Sequence, residues 1–229
     1  MKLSVIVPVY NEEATVAVML AKLIKVRDVR EVLVVNDGST DKTEKKIMKI
    51  SRLRSRQARK IKYFKKTNGG KGSAVRFGLK KVTGDFVLIQ DADLEYDPDD
   101  IPKLLEPIKK GRVKVVYGSR FTGPHSNLLF WHKVGNTVLN LILNVLFNTT
   151  LSDMETCYKV MPARLMRSLN LKSNSFDLEP EITCKILKMG IHIYEVPISY
   201  VGRDFSEGKK INWVDGIEAL GVIFKLRFT

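Results

Sequence analysis

Over the first 120 residues, short apolar runs alternate with longer amphipathic segments. Residues 4–10 (SVIVPVY) and 31–37 (EVLVVND) are β-branched runs typical of buried parallel strands. Further strands are predicted at residues 60–65, 85–90 and 113–118, and helices at residues 12–27, 42–57 and 71–82. Ser39 or Thr40 is expected to cap the second of these helices. The order of strands and helices predicts an α/β fold, with a Rossmann-like, mostly parallel sheet flanked by helices.

The second half of the chain has a less regular pattern. Residues 134–152 carry no charge, but four asparagines recur every four residues: Asn136, Asn140, Asn144 and Asn148. Because amides are costly in hydrocarbon, an amphipathic helix is predicted instead of a membrane-spanning one. Such a helix either packs on the core or lies at a membrane surface. A helix at residues 178–189, a strand-like segment at 192–200 and a last helix from about residue 212 complete the pattern.

The last predicted helix carries an apolar stripe at spacings of four, three and four residues. Its members are Trp213, Ile217, Leu220 and Phe224. This stripe predicts a face turned toward the core, and a membrane-surface role for the same helix stays open. No change of composition marks a linker, so we expect a single domain over residues 1–229.

The net charge is the unusual feature of the composition. The 229 residues carry a net charge of +14, and residues 42–66 hold twelve Lys or Arg against one acid, Glu44. Such a run is either a solvated basic helix or a means of attracting an anionic partner, such as a membrane surface. Nucleic acid is disfavoured because no nucleic-acid-binding motif accompanies the run. With two cysteines and no secretory signal, we expect a cytoplasmic protein without a transmembrane helix.

The candidate chemistry lies at the predicted strand ends. The apolar residues 87–90 run directly into four acids spaced two apart: Asp91, Asp93, Glu95 and Asp97. In an extended backbone Asp91 and Asp93 project to the same side, so a positive group is expected between them. Other polar segments follow strands at residues 10–12, 36–38 and 118–120. Since parallel α/β sheets bind ligands at the carboxyl ends of their strands, these segments predict the ligand site.

Asp91-Ala92-Asp93 resembles the metal-binding acidic motif of nucleotide-sugar glycosyltransferases. Together with VIVPVYNEE (residues 5–13), VNDGSTDKT (35–43) and GGKGSAVRFG (69–78), it occurs in the order found in family 2 glycosyltransferases of the GT-A fold. The resemblance implies Mg²⁺ or Mn²⁺ at Asp91 and Asp93, neutralising charge on a leaving diphosphate. It also implies a set of nucleotide-binding residues: Pro8, Tyr10, Glu12, Asp37, Gly70, Lys71, Asp91 and Ala92.

Later segments are similar to those of the dolichol-phosphate mannose and dolichol-phosphate glucose synthases. They are GSRF (118–121), LSDMETCYKV (151–160), FDLEPEIT (176–183) and YEVPISYVGRDFSEGKKINWVDG (194–216). This resemblance implies inverting transfer of mannose or glucose from GDP-mannose or UDP-glucose to a dolichyl or polyprenyl phosphate. The enzyme would be peripherally attached to the cytosolic membrane face. Residues 1–120 would form the nucleotide-sugar-binding half, and residues 121–229 the acceptor-binding half with C-terminal acceptor-side helices.

The same resemblance implies roles for residues beyond the nucleotide site. Arg120, Arg203 and Lys209 would bind acceptor or donor phosphate, with Lys133 and His132 as further candidates. The implied catalytic residues are Asp93, Asp153 and Arg203. Because a phosphate acceptor is mostly dianionic at pH 7, we expect Asp153 to orient a substrate rather than to accept a proton. Lys159 is expected to pair with Asp153 or Glu155.

Two alternatives to this hypothesis stay open. A transferase that uses a saccharide hydroxyl as acceptor would need a true base, which Asp153 or Glu155 could supply. A binding module without catalytic activity would hold a nucleotide sugar or a lipid phosphate and transfer nothing. The predicted base pocket does not distinguish guanine from uracil.

Overall fold

The structure of the protein is a computed structural model that describes residues 1–53, 55–127, 129–203 and 213–229. Within these ranges the strands are β1 (Leu3–Val9), β2 (Val29–Asn36), β3 (Ile61–Lys65), β4 (Phe86–Ile89), β5 (Val116–Ser119), β6 (His125–Ser126), β7 (Lys159–Pro162), β8 (Tyr194–Pro197) and β9 (Tyr200–Val201). The helices are α1 (Val16–Leu23), α2 (Thr43–Ser51), α3 (Lys71–Leu79), α4 (Ile101–Lys109), α5 (Phe130–Phe147), α6 (Ala163–Ser168), α7 (Leu178–Lys188) and α8 (Trp213–Phe228).

The central sheet has the strand order β3-β2-β1-β4-β7-β5-β8. Its pairings are parallel except for β7, which runs antiparallel to both β4 and β5. The predicted α/β fold with a mostly parallel sheet is therefore confirmed. The strand order reverses beside β1, where such sheets form a ligand crevice at their carboxyl edge. Because β7 is antiparallel, the loop that precedes it also lies at that edge.

Successive side chains of the strands enter two different apolar layers. Val5 and Val7 of β1 pack in one cluster with Leu20 of α1, while Ile6 packs in a second cluster with Ile182 of α7. Helices cover both faces of the sheet, so each strand is buried on both sides. This explains why the strands appear in the sequence as continuous apolar runs.

A third apolar cluster joins α5, α7 and α8. Leu143, Cys184, Ala219 and Ile223 are buried within it. The predicted core stripe of the last helix is wrong for two of its members, since Ile217 is 56% exposed and Phe224 is 46% exposed, whereas Leu220 packs against this cluster. The face that α8 buries is instead centred on Ala219 and Ile223.

The asparagine stripe of α5 binds backbone. Asn144 exchanges two hydrogen bonds with Leu151, and Asn140 donates to the carbonyl of Ser152 while accepting from the N–H of Met154. The stripe therefore fixes residues 151–154 against the helix. Asn148 ends α5 in the left-handed region, with φ of 50°. Among the described residues, no helix combines the length and apolar character needed to cross a membrane.

The predicted cap of the second helix is also wrong. Asp41, not Ser39 or Thr40, accepts a hydrogen bond from the N–H of Thr43 at the start of α2. Ser39 and Thr40 instead contact Asn11, in the loop after β1. The turn after β2 is thus bonded to the loop after β1. Local sequence patterns do not reveal this contact between the two strand ends. Several predicted helices are also shorter than expected, such as α1 at Val16–Leu23.

Glu31 links three segments at the opposite edge of the sheet. It is buried and accepts hydrogen bonds from Ser4 Oγ, the N–H of Thr83 and Lys62 Nζ. Burial raises the pKa of this carboxyl, but the hydrogen bonds, that of Lys62 foremost, outweigh burial and lower the pKa from 4.5 to about 2. The charged form therefore stabilises the fold above pH 4.5, and this contribution is lost as the pH falls through 2.

We predict that Glu31→Gln lowers the free energy of unfolding by about 1–3 kcal/mol at pH 7. The deficit should shrink steadily below pH 4.5, because the wild-type carboxyl then loses its advantage. Urea unfolding at pH 7, 4 and 3 measures this difference. The control Glu106→Gln removes an exposed carboxylate and should change little. A Glu31→Gln deficit that is constant from pH 7 to pH 3 would contradict the assignment.

Candidate functional site

A cavity of about 990 Å³ opens at the carboxyl edge of the sheet. It brings together most of the residues predicted from the sequence: Pro8, Tyr10, Glu12, Asp37, Gly70, Lys71, Asp91, Ala92, Asp93, Arg120 and Arg203. Asp153 is fully buried and does not line the cavity. Lys209 lies outside the described residues and stays a prediction. The ends of β1, β2 and β4 therefore meet in one place, as expected for a parallel sheet.

The two acids that follow β4 each hold a different cationic side chain. Asp91 lies 2.9 Å from Lys71 Nζ, and Asp93 lies 2.9 Å from a guanidinium nitrogen of Arg203. The sequence predicted one positive group between the two acids. In the structure β4 ends at Ile89, before both acids, and each acid meets a partner of its own.

Negative charge remains in excess around Asp93. Burial foremost, then the charges of Asp91 and Glu95, raise the pKa of Asp93 from 3.8 to about 7, although Arg203 opposes this rise. Carboxylate oxygens are the ligands that Mg²⁺ and Mn²⁺ prefer, and a divalent cation would relieve this repulsion. Among the described residues, no group of three or more His, Cys, Asp or Glu side chains is arranged to hold a metal. Asp91 and Asp93 are two oxygen-donor side chains at the cavity, so a cation held by them would take its remaining ligands from a bound molecule or water.

The glycine-rich loop before α3 is held by Asp37. Both carboxylate oxygens of Asp37 accept from the N–H of Gly69, one also accepts from the N–H of Gly70, and Lys66 pairs with the same carboxylate. Gly70 has φ of 89°, a conformation that favours glycine. The loop therefore enters α3 at Lys71, whose ammonium also lies 3.2 Å from Glu179.

Gly72 allows a second loop to pack against the first turn of α3. A Cβ atom at this position would lie 2.4 Å from the carbonyl oxygen of Ser173. The contact brings the start of α7, with Phe176 and Glu179, to the cavity. These two residues had no role in the sequence-based prediction, although the FDLEPEIT motif that contains them was part of the resemblance.

Arg203 connects three segments of the chain by ion pairs. Its guanidinium lies 2.9 Å from Asp93, 3.3 Å from Glu12 and 3.5 Å from Glu95. Its backbone N–H donates to Glu95, which also accepts from the hydroxyl of Tyr200. The segment after β9 is thereby fastened to the acids after β4. Neither Glu95 nor Tyr200 had been assigned this linking role from the sequence.

Arg120, after β5, forms a closely held pair with Asp153. Asp153 accepts hydrogen bonds of 2.8 and 2.7 Å from the guanidinium and one of 2.9 Å from the backbone N–H of Arg120. The guanidinium also lies over the rings of Phe121 and Tyr200. Burial opposes the charge of Arg120, but Asp153 raises its pKa well above the usual value, so the side chain stays cationic. Asp153 therefore positions a cation at the cavity.

The loop that carries Asp153 and Glu155 is fixed from two sides. Glu195 accepts hydrogen bonds from the backbone N–H groups of Ser152 and Asp153, opposite the asparagines of α5. The predicted pairing of Lys159 with Asp153 or Glu155 is wrong, because Lys159 binds Glu179 at 2.7 Å. Both members of that pair are buried, and the ammonium also donates to the carbonyl of Met154. Glu155 itself lines the cavity.

The part of the cavity between α5 and α8 is lined mainly by apolar side chains, with several polar and charged ones among them. Its lining here consists of Leu129, Trp131, His132, Lys133, Gly135, Asn136, Val138, Leu139, Gly216, Ile217 and Leu220, together with Asp215. The apolar surface continues outward along α5, where Trp131 is 78%, Leu141 61% and Val145 72% exposed. A charged end and an apolar end thus share one cavity, which suits a ligand with a phosphate head and an apolar tail.

Comparison with known proteins places these features in context. The chain is 29% identical over 138 residues to the low-salt glycan biosynthesis hexosyltransferase Agl6 of Haloferax volcanii, covering 59% of this chain and 33% of that protein. It is 28% identical over 158 residues to the UDP-N-acetylglucosamine–dolichyl-phosphate N-acetylglucosaminyltransferase of Methanococcus voltae, covering 66% of this chain and 63% of that protein. The chain thus spans about one third of the length of the first relative and just under two thirds of the length of the second.

Solved structures share the fold over nearly the whole chain. The glucosyl-3-phosphoglycerate synthase of Mycobacterium tuberculosis, in complex with Mn²⁺, UDP and glucosyl-3-phosphoglycerate, superposes with a TM-score of 0.76 at 18% identity, covering 99% of this chain and 80% of that one. The same enzyme with Mn²⁺ and UDP-glucose gives a TM-score of 0.75 at 18% identity, covering 99% of this chain and 79% of that one. The expected GT-A fold is confirmed.

The family follows from the sequence match. The model of Glycosyl transferase family 2 matches residues 4–169, which is more than half of the chain. The matched range includes the glycine-rich loop, the acids after β4 and the loop with Asp153. We conclude that the chain belongs to glycosyl transferase family 2.

Proposed function

We propose that the protein transfers a hexose, mannose or glucose, from GDP-mannose or UDP-glucose to a dolichyl or polyprenyl phosphate, with inversion at the anomeric carbon. The observation that supports this function best is the cavity that runs from Asp91 and Asp93 to the apolar groove between α5 and α8. A nucleotide sugar needs the polar end, and a lipid phosphate needs an apolar one. The name of the Methanococcus voltae relative, which includes a dolichyl phosphate and a UDP sugar, also favours this substrate class.

In this proposal residues 1–120 form the half that binds the nucleotide sugar. Lys71 begins α3, where backbone N–H groups and its own charge favour an anionic diphosphate. Asp91 and Asp93 would hold Mg²⁺ or Mn²⁺, which when bound supplies charge neutralisation for the departing nucleoside diphosphate. Lys71 pairs with Asp91 and Arg203 pairs with Asp93, and in this proposal both cations would also contact the bound diphosphate.

Residues 121–229 would form the acceptor half, together with Arg120. The planar guanidinium of Arg120 suits an acceptor phosphate, and Asp153 fixes its orientation. Lys133 and His132 also line the cavity, and in this proposal they would be further ligands of the acceptor phosphate. The acceptor phosphate is already dianionic at pH 7, so attack on the anomeric carbon needs no strong base.

The alternative with a saccharide hydroxyl as acceptor requires a base at Asp153 or Glu155. Asp153 is fully buried and paired with Arg120, which disfavours proton abstraction by this residue. The alternative of an inactive binding module would bind a nucleotide together with a metal and transfer nothing. A transfer assay therefore distinguishes it from an enzyme.

The first prediction concerns transfer itself. Purified protein is mixed with dolichyl phosphate, Mg²⁺ or Mn²⁺, and labelled GDP-mannose, UDP-glucose or UDP-N-acetylglucosamine in turn. We expect label from one donor to enter the organic-extractable lipid, and Asp91→Asn to lower the rate by about 10²-fold or more. The matched control Asp99→Asn changes an exposed acid of the same stretch and should keep full activity.

Other outcomes of that assay identify the alternatives. Label that reaches added saccharides but no lipid would support a hydroxyl acceptor. Metal-dependent nucleotide binding with no transfer from any donor to either acceptor would support the binding module.

The second prediction separates a positioning role of Asp153 from a role as base. Asp153→Asn should raise the KM for dolichyl phosphate by about tenfold or more, because Arg120 loses its orienting partner, while the KM for the donor changes little. Arg120→Lys should produce the same pattern, since Lys cannot reproduce the planar fork. Steady-state kinetics with each substrate varied measure both constants, and circular dichroism checks the fold. Turnover abolished at every acceptor concentration in Asp153→Asn, but not in Arg120→Lys, would identify a base.

The third prediction concerns peripheral membrane contact through α5. Leu141→Asn combined with Val145→Asn should weaken binding to vesicles containing anionic lipid by about tenfold, because two exposed apolar side chains no longer enter the interface. Neither residue lines the cavity, so turnover of a short, water-soluble polyprenyl phosphate should be retained. Val18→Asn, which alters an exposed apolar side chain on α1, serves as the control. Equal vesicle binding by all three proteins in a flotation assay would refute a membrane role for this face.

A further inference from the structure

Glu155 lies on the loop before β7 that the asparagines of α5 and Glu195 hold in place. It lines the cavity, and its carboxyl lies within electrostatic range of two groups of charged residues. One is the pair of Arg120 and Asp153, proposed for the acceptor; the other includes Glu179, which contacts Lys71. These neighbours act electrostatically on its carboxyl. Since the transferred sugar must lie between the leaving diphosphate and the acceptor phosphate, Glu155 occupies the part of the cavity where a hexose belongs.

One carboxyl oxygen of Glu155 is unsatisfied. Its Oε1 is shielded from solvent and has no hydrogen-bond partner among the described residues. The nearby cations do not serve it, because Lys159 binds Glu179 and Arg120 binds Asp153. A buried polar atom without a partner is costly, and such an atom in a ligand cavity indicates a hydrogen bond that a ligand completes.

The chemistry of the surroundings selects the kind of ligand group. Burial is the main reason that the pKa of Glu155 is raised from 4.5 to about 7; Lys159 and Arg120 oppose the rise, and Glu179 and Asp153 add to it. A phosphate group of a ligand would be repelled by the carboxylate of Glu155. A cationic group of a ligand would add to Lys159 and Arg120, two cations that are already paired with other acids. A neutral hydroxyl can donate to the carboxylate and can also accept from the protonated form. A sugar hydroxyl is therefore the group that fits.

We propose that Glu155 binds a hydroxyl of the hexose in the donor, and thereby contributes to the choice of sugar. This inference rests on the proposed function, because it requires a nucleotide sugar in the cavity. The residue then acts on the sugar alone: the nucleotide and diphosphate contacts are made by other side chains. Its loss should weaken binding of a nucleotide sugar and leave binding of the corresponding nucleoside diphosphate unchanged.

Calorimetric titration in the presence of Mn²⁺ tests this difference. Wild type, Glu155→Ala, Glu155→Gln and the control Glu106→Gln are titrated with UDP, UDP-glucose, UDP-N-acetylglucosamine, GDP and GDP-mannose. We expect Glu155→Ala to bind the preferred nucleotide sugar about tenfold more weakly and the nucleoside diphosphate as the wild type does. Glu155→Gln, which is nearly isosteric and keeps one acceptor, should lose less affinity.

Deoxy analogues of the preferred donor identify the hydroxyl. The wild type should bind one analogue about tenfold more weakly than the parent sugar, whereas Glu155→Ala should bind the two equally. Such a loss of discrimination requires a direct contact, which a purely structural role would not produce.

The remaining outcomes overturn the inference in distinguishable ways. Equal weakening of UDP and UDP-glucose binding would mean that Glu155 supports the loop alone. Unchanged binding of every probe with abolished turnover would mean that it acts as a base. A wild type that binds none of the five nucleotides would overturn the proposed function, and the inference with it.

Discussion

The excess of negative charge at the carboxyl edge of the sheet is the constraint on which the rest of the site depends. Asp91, Asp93 and Glu95 follow a buried strand in quick succession, and burial together with their mutual repulsion raises the pKa of Asp93. Buried charges need partners, and the protein supplies Lys71 from α3 and Arg203 from the segment after β9. These two cations join distant parts of the chain to the acids. In the proposed function a divalent cation and a diphosphate would replace these protein–protein ion pairs by protein–ligand ones.

The second half of the site depends on side chains that form hydrogen bonds with the backbone of one loop. Asn140 and Asn144 bind residues 151–154 along one side, and Glu195 binds the same loop from the other. Held in this way, the loop places Asp153 beneath Arg120 and leaves Glu155 facing the cavity. Because the polar side chains of α5 that bind this loop occupy one face of the helix, its apolar side chains can be exposed on another face. In α5 that second face reaches from the cavity to the surface, so a single helix serves both positioning and the proposed lipid contact.

Much of the site could be predicted from the sequence because strand ends are easy to locate. Pro8, Asp37, Asp91 and Arg120 each follow an apolar run, and the sheet brings them to one cavity. Predictions failed where a partner came from far along the chain. Lys159 pairs with Glu179 and not with the acids beside it in sequence, and Ala219 rather than the larger Ile217 faces the core of the last helix. Neither choice follows from local spacing, since both depend on which helices approach one another.

The sequence by itself determined the alternation of strands and helices, the position of the acids after the fourth strand and the family motifs. These features depend on local periodicity and on the identities of neighbouring residues. Only the tertiary structure decided which cation meets which acid, that Asp153 is enclosed by Arg120, and that Oε1 of Glu155 is left without a partner. The physical reason is that burial and pairing of charge are properties of the packed molecule: they arise when residues separated by 20 to more than 100 positions are brought within hydrogen-bond distance.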